Sequence, residues 1–411
     1  MEPDCFACEA DDNKGLGKMK IGIVTFFSVP NYGAMLQAFA LWKFLEELGH
    51  GVEFIDYAFG NTQRIPLWRC FIARHFSNYR DVVRRKLKSF VRFDIVKFSD
   101  IFPRTQRIST FKALKEIGSK FDAFIVGSDQ MWNPIWCSGA QLPIVMLDFA
   151  IEGKSRIAYA TSFGGKEWRK DQNAGDAGRF LRKMTAISVR EQSGVDLVRR
   201  LSGRTDAKCL IDPTLLYTAS FYRQVFAKEN LRQGDTNEPF IFSYLLDEWS
   251  DDKSAQPVLE YVRKVLGVTR VVTDRVAVSG FLGPFCRAIG VESKVPVCDW
   301  LSRISASEFV LTNSFHGTVF AILFHRPFVS ILLRGKMSGM NERILSLLGK
   351  VGLESRAIYA DDLKGLTTLL TEKVDWRSVD ASLDDEREYA SDYLFGSLGL
   401  MEEPKRKDYG K

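Results

Sequence analysis

Ile21-Gly-Ile-Val-Thr-Phe-Phe27, Ser28-Val-Pro-Asn-Tyr-Gly33, Ala34 through Leu48 and Val52-Glu-Phe-Ile-Asp-Tyr57 follow one another closely, and their order decides the fold. The first run is short, apolar and rich in β-branched residues, as expected for a buried parallel strand. The second is a polar turn. In the third, Ala34, Ala38, Leu41, Leu45 and Leu48 recur at helical spacing. Gly49 and Gly51 end the helix, and the last run is a second strand. Together they make a βαβ unit, the opening of a doubly wound sheet.

The pattern continues along the chain. Phe121-Asp-Ala-Phe-Ile-Val126 runs into Gly127-Ser-Asp-Gln-Met-Trp132, Arg156-Ile-Ala-Tyr-Ala-Thr161 into Ser162-Phe-Gly-Gly165, and Ala186-Ile-Ser-Val189 into Arg190-Glu191. Ligands in open α/β sheets bind beyond the carboxyl ends of strands, so these loops are expected to line one edge. Asp212-Pro213-Thr214 breaks the alternation and residues 228–238 are polar, which places a hinge there. Strands resume at Phe240-Ile-Phe-Ser-Tyr-Leu-Leu246, Arg270-Val-Val-Thr273, Phe309-Val-Leu-Thr312 and Pro327-Phe-Val-Ser-Ile-Leu-Leu333. The expected organisation is a disordered leader over 1–18 and a Rossmann-like domain over 19–225 with a basic helical insertion at about 60–110. A second Rossmann-like domain spans 238–360, and a helical tail over 361–411 crosses back to the first.

A chain of 411 residues is too long for one compact core. With 45% hydrophobic and 26% charged residues it has an ordinary globular composition. The net charge of +6 is mild for this length. It favours an anionic substrate or surface and argues against nucleic acid as partner. Seven scattered cysteines and no signal peptide ahead of the first strand suggest reduced thiols in the cytoplasm. Cys5 and Cys8 form a lone C-x-x-C without a second pair, so no metal site is expected. From Arg64 to Phe93 there are nine Lys or Arg residues and one acid, Asp81. This basic stretch reads either as an ordinary solvated helix, as part of an acceptor cleft, or as a peripheral dock on the anionic inner face of a membrane.

Four histidines are present, and His316 has the most informative setting, in Thr312-Asn-Ser-Phe-His-Gly317 between an apolar strand and an apolar helix. Backbone N–H groups at a helix start attract anions, and an imidazole there can exchange a proton near neutral pH. The alternative is a histidine placed there for structure alone. Arg190, directly after a strand, suits bidentate binding of phosphate or carboxylate, or else pairs with Glu191 or Asp196. Asp129 is a second candidate for proton transfer, or a helix N-cap. Asn313, Ser314 and Gly317 accompany His316. Arg334, Lys336 and Arg343 cluster after the strand ending at Leu333, either as anion ligands or as a solvated basic face. Asn31, Tyr32, Gly33, Ser128, Trp132, Asn133 and Ser162 stand at strand ends on the expected cleft.

Six of these segments in consistent order resemble the polysaccharide pyruvyl transferase family: Ile21 to Phe26 with Asn31-Tyr-Gly-Ala-Met-Leu-Gln37, Asp122 to Asn133, Ile157 to Gly164, Ile187-Ser-Val-Arg-Glu191, Ile211-Asp-Pro-Thr-Leu215, and Asn313 to Gly317. The resemblance implies a GT-B-like pair of Rossmann-type domains facing a cleft. It implies transfer of the enolpyruvyl carbons of phosphoenolpyruvate to a sugar of a capsule, exopolysaccharide or cell-wall glycan, with no cofactor beyond that donor. The acceptor is then a glycan or its polyprenyl-diphosphate-linked precursor. On this resemblance His316 is the general acid and Arg190 holds the donor anion. Some relatives carry an arginine where this chain has Ser314, a gap that Arg334 or Lys336 is expected to fill. A glycosyltransferase using a nucleotide sugar and a non-catalytic carbohydrate-binding relative are the alternatives.

Overall fold

The computed structural model describes residues 18–58, 98–135, 139–168, 174–226, 238–246, 255–277 and 292–400. The expected leader, the Cys5–Cys8 pair and most of the basic insertion, including residues 64–93, lie outside the described residues.

The first half runs β1 (Lys20–Val24), α1 (Tyr32–Glu47), β2 (Gly51–Phe54), α2 (Phe111–Gly118), β3 (Ala123–Val126) and α3 (Leu142–Val145). It continues through β4 (Ser155–Thr161), α4 (Ala174–Arg182), β5 (Ala186–Val189), α5 (Gln192–Ser202), β6 (Lys208–Cys209) and α6 (Ala219–Phe226). The second half runs β7 (Phe240–Tyr244), α7 (Ala255–Leu266), β8 (Arg270–Val272), β9 (Arg275–Ala277), β10 (Glu292–Lys294) and α8 (Val297–Ala306). Then come β11 (Phe309–Thr312), α9 (Phe315–Leu323), β12 (Phe328–Ile331), α10 (Asn341–Lys350), β13 (Ala357–Ile358), α11 (Leu363–Thr371) and α12 (Trp376–Leu398).

Two parallel sheets result, ordered β2-β1-β3-β4-β5-β6 and β13-β12-β11-β7-β8, with β9 and β10 forming a small antiparallel ribbon. The central strands are buried on both faces, as parallel strands covered by helices must be. In each sheet the strand order reverses once, between β1 and β3 and between β7 and β11. Those reversals open the crevices that ligands use in doubly wound folds.

The two halves share a core. The spacing of Ala34, Ala38, Leu41, Leu45 and Leu48 suggests a helix with one apolar stripe, yet α1 is buried from Tyr32 to Leu45 on all sides. It lies between its own sheet and α9, which explains why so little of it is polar. Tyr32 stacks on Trp300 with ring centroids 4.9 Å apart, and its hydroxyl donates to the Val295 carbonyl at 2.8 Å. Tyr222 meets Phe320 edge to face at 5.0 Å. α12 starts on the second half, where Trp376 stacks on His325 and Asp380 binds its Nε2 at 2.9 Å. It finishes on the first, where the Tyr393 hydroxyl donates to the Ala158 carbonyl at 2.8 Å. Among the described residues no helix is long and apolar enough to cross a membrane.

Candidate functional site

The residues that converge come from the carboxyl ends of β3, β5, β6 and β11 and from the amino ends of α1 and α10. Asp212 lies at their centre. It follows β6, caps the turn Pro213–Leu216, and is wholly buried. Its Oδ1 accepts from the Thr214 N–H at 3.0 Å and the Thr214 hydroxyl at 2.7 Å. Its Oδ2 accepts from the Ser128 hydroxyl at 2.6 Å and from Arg190 Nη1 at 2.7 Å. The same oxygen faces His316 Nε2 at 3.6 Å, ion-pair range for a protonated imidazole. Burial alone would raise the Asp212 carboxyl, but His316, Arg190 and Ser128 together hold it well below the usual carboxylate range.

His316 occupies the first turn of α9, whose N-cap is Ser314, with Oγ 3.4 Å from the Gly317 nitrogen. Its ring lies directly over Gly33 at the start of α1. A Cβ on residue 33 would fall 1.9 Å from His316 Nδ1, so only glycine fits beneath the imidazole. A helix of the first half and a helix of the second thus meet at one histidine.

Arg190 is clasped twice, by Asp212 and, through Nη2 at 3.3 Å, by Asp129. Its guanidinium also covers the Phe315 ring at 4.6 Å. Asp129 begins no helix, so the N-cap alternative falls away. It sits at φ 63°, in the left-handed region, and Ala160 across the loop sits at φ 46°. The pairing of β4 with β5 shifts register between Ala158 and Thr161. Such bulges re-aim side chains beside functional sites, at a cost on the order of 1–2 kcal/mol per left-handed non-glycine residue.

Arg343, in the first turn of α10, is buried beside this cluster and lies 5.9 Å from the Phe315 ring centroid. Burial, reinforced by the neighbouring Arg190, lowers its guanidinium to about 10. Glu191 points away from Arg190. It accepts from the Ser162 hydroxyl at 2.7 Å and the Phe163 N–H at 3.0 Å, and burial raises its carboxyl, against the pull of Arg190 and Ser162.

The profile of the polysaccharide pyruvyl transferase family matches residues 31–333, most of the chain and every element of this cluster except Arg343. The chain belongs to the polysaccharide pyruvyl transferase family. No curated protein matches it. Among solved structures it is similar to a UDP-GlcNAc 2-epimerase from Methanocaldococcus jannaschii, at 10% identity and TM-score 0.54, covering 92% of this chain and all of that one. It is also similar to a UDP co-structure of MnaA from S. aureus, at 10% identity and TM-score 0.50, covering 95% of this chain and all of the other. At such identities the likeness is one of fold, the GT-B pairing of two Rossmann-like domains.

Several residues expected on the cleft of this pyruvyl transferase family member serve its scaffold instead. Asn31 caps α1 through the Ala34 N–H, and Tyr32 is committed to the packing between halves. Trp132 is buried and donates to the Val145 carbonyl, while Asn133 binds Gln130 and the Ile135 N–H. Asn313 accepts the Leu246 N–H at 2.7 Å and so ties the ends of β7 and β11 together at the switch point. Gly317 lets α9 pack on Thr312, whose Oγ1 would lie 2.3 Å from an added Cβ. Ser128 and Ser162 act through Asp212 and Glu191.

Arg334 does not join the cluster: it is exposed, paired with Asp361 at 2.6 Å and stacked on Tyr359. The Lys336 side chain lies outside the described residues. Arg190, expected to hold a donor anion, has both its Nη atoms on carboxylates. The residue missed by sequence reasoning is Asp212, read as part of a hinge, while of the cations read either as anion ligands or as a solvated basic face Arg343 is buried at the cluster and Arg334 is not. A signal for Asp212 exists, since it stands between Leu210-Ile211 and Pro213-Thr214-Leu215-Leu216, where an acid has to be buried. For Arg343 the signal is a cation in the first turn of a helix, against the macrodipole. Among the described residues no group of three or more His, Cys, Asp or Glu side chains is arranged to hold a metal ion.

Proposed function

We propose that this protein transfers the enolpyruvyl carbons of phosphoenolpyruvate to a sugar of a cell-surface glycan or its lipid-linked precursor, forming a pyruvate ketal and releasing phosphate. The observation that carries the reading is His316, pinned over Gly33 and backed by the Asp212 carboxylate at 3.6 Å. An imidazole seated on Gly33 beside a buried carboxylate is a group placed to exchange a proton.

In this scheme His316 gives its proton to the methylene carbon of the donor, which becomes a methyl group. The adjacent carbon takes on oxocarbenium character. One sugar hydroxyl attacks it, phosphate departs, and a second hydroxyl of the same sugar closes the ring. Of the two hydroxyl protons, one restores His316 and the other leaves with phosphate. Asp212 is a positioning residue, and Arg190 holds it in place while Asp129 holds Arg190. A positioned acid contributes on the order of 10²–10⁴-fold.

The test is phosphate release from phosphoenolpyruvate with candidate sugar acceptors, comparing wild type with His316→Ala. The variant is expected to lose at least ~10²-fold in kcat with its fold intact. An unchanged rate would remove His316 from the chemistry. Turnover of a nucleotide sugar in place of phosphoenolpyruvate would replace the reading with a glycosyltransferase, and binding without turnover would replace it with a carbohydrate-binding role.

A further inference from the structure

Arg343 is 6% exposed. Among the described residues no carboxylate comes within 4.0 Å of its nitrogens and none of them makes a hydrogen bond, and its Nε is buried without a partner. The other charged groups of the cluster keep direct partners even though Arg190 Nε and Glu191 Oε2 are also buried without one: Arg190 has Asp129 and Asp212, Asp212 has four donors, and Glu191 Oε1 has two. A buried charge left unpaired is costly.

Two further features worsen its position. Arg343 and Arg190 both approach the same Phe315 ring, at 5.9 and 4.6 Å from its centroid, so two like charges lie close together. Arg343 also stands in the first turn of α10, where the helix dipole is positive and where Met340, the N-cap, supplies no side-chain hydrogen bond. Asp129, Glu191 and Asp212 are near enough to favour the Arg343 charge, but none of them bonds it, so the donors of this buried cation are left for an anion to fill. The helix itself is held firmly against the first half. Lys166 pairs with Glu342 at 3.0 Å, Ser346 donates to the Arg190 carbonyl at 3.2 Å, and Lys350 donates to the Cys209 carbonyl at 3.3 Å.

We infer that Arg343 is the oxyanion clamp of the site and receives a phosphate or carboxylate group of the donor, while Arg190 is a positioning residue that fixes Asp212. The identity of the donor rests on the function proposed above; the clamp does not.

Calorimetric titration of the full-length chain with inorganic phosphate, pyruvate, phosphoenolpyruvate and UDP tests this in wild type, Arg343→Met and Arg343→Lys. Wild type is expected to bind phosphoenolpyruvate, and Arg343→Met to lose affinity on the order of 10- to 100-fold, the worth of charge-assisted hydrogen bonds. Arg343→Lys should fall between. Whichever of phosphate and pyruvate loses affinity identifies the group held. Without ligand, Arg343→Met should unfold at or above the wild-type temperature, since an uncompensated buried charge has been removed. Wild-type affinity in Arg343→Met, no oxyanion binding by wild type, or a lower unfolding temperature in both variants would overturn the clamp. Binding of UDP but not phosphoenolpyruvate, weakened by Arg343→Met, would leave the clamp standing and overturn the proposed donor.

Discussion

Replacing Gly33 with alanine tests the site without knowledge of the substrate. The added Cβ would lie 1.9 Å from His316 Nδ1 and 2.2 Å from its Cγ. An ordinary contact begins at 3.4 Å, so the ring has to withdraw by about 1.5 Å, the difference from 1.9 Å. The backbone offers no objection, because Gly33 is not among the residues with positive φ. Alanine would in fact favour α1 by up to about 1 kcal/mol. Set against that gain, overpacking costs typically about 1–3 kcal/mol. The sign of the stability change therefore depends on whether His316 is present. In wild type, Gly33→Ala is expected to destabilise; in the His316→Ala background it is expected to stabilise. Urea unfolding of the four proteins gives the coupling directly, expected at roughly 2 kcal/mol or more. Phosphate release from phosphoenolpyruvate should fall on the order of 10²-fold in Gly33→Ala, since a misplacement of about 1 Å has that cost. Stability effects additive to within about 0.5 kcal/mol would refute the reasoning, because the imidazole would then not be resting on residue 33.

Two further expectations concern the buried acids. Asp212→Asn leaves Arg190 with Asp129 as its remaining carboxylate and should destabilise by about 3 kcal/mol at neutral pH. Because the folded state depresses the Asp212 carboxyl, that advantage of wild type should shrink as pH falls below 3.8; a gap independent of pH in this range would show that the Asp212 charge is not its source. Glu191 has the opposite sign. Its carboxyl is raised by burial, so wild type should lose stability relative to Glu191→Gln as pH climbs above 4.5, and parallel curves in urea titrations would contradict it.

The sheets and their reversals were legible because parallel strands buried on both faces leave unbroken apolar runs, as at Phe124-Ile-Val126 and Phe309-Val-Leu311. His316 was legible from its strand-to-helix setting. Asp212 was read past, because Asp-Pro-Thr has the composition of a surface turn and its apolar flanks were the only sign that its partners Ser128 and Arg190 bury it. Asn31, Tyr32 and Trp132 have the residue types of a binding loop, yet capping and packing compete for the same chemistry and win here. Arg334 and Arg343 are indistinguishable by composition. Arg334 follows β12 onto the surface and finds Asp361, whereas Arg343 is carried inward on α10.

α12 anchors at Trp376 on one half and at Tyr393 on the other. At 1.5 Å per residue the span between these anchors is about 25 Å. The terminal helix therefore works as a strap: what holds the half carrying Gly33 to the half carrying His316 includes side chains far from the cluster itself.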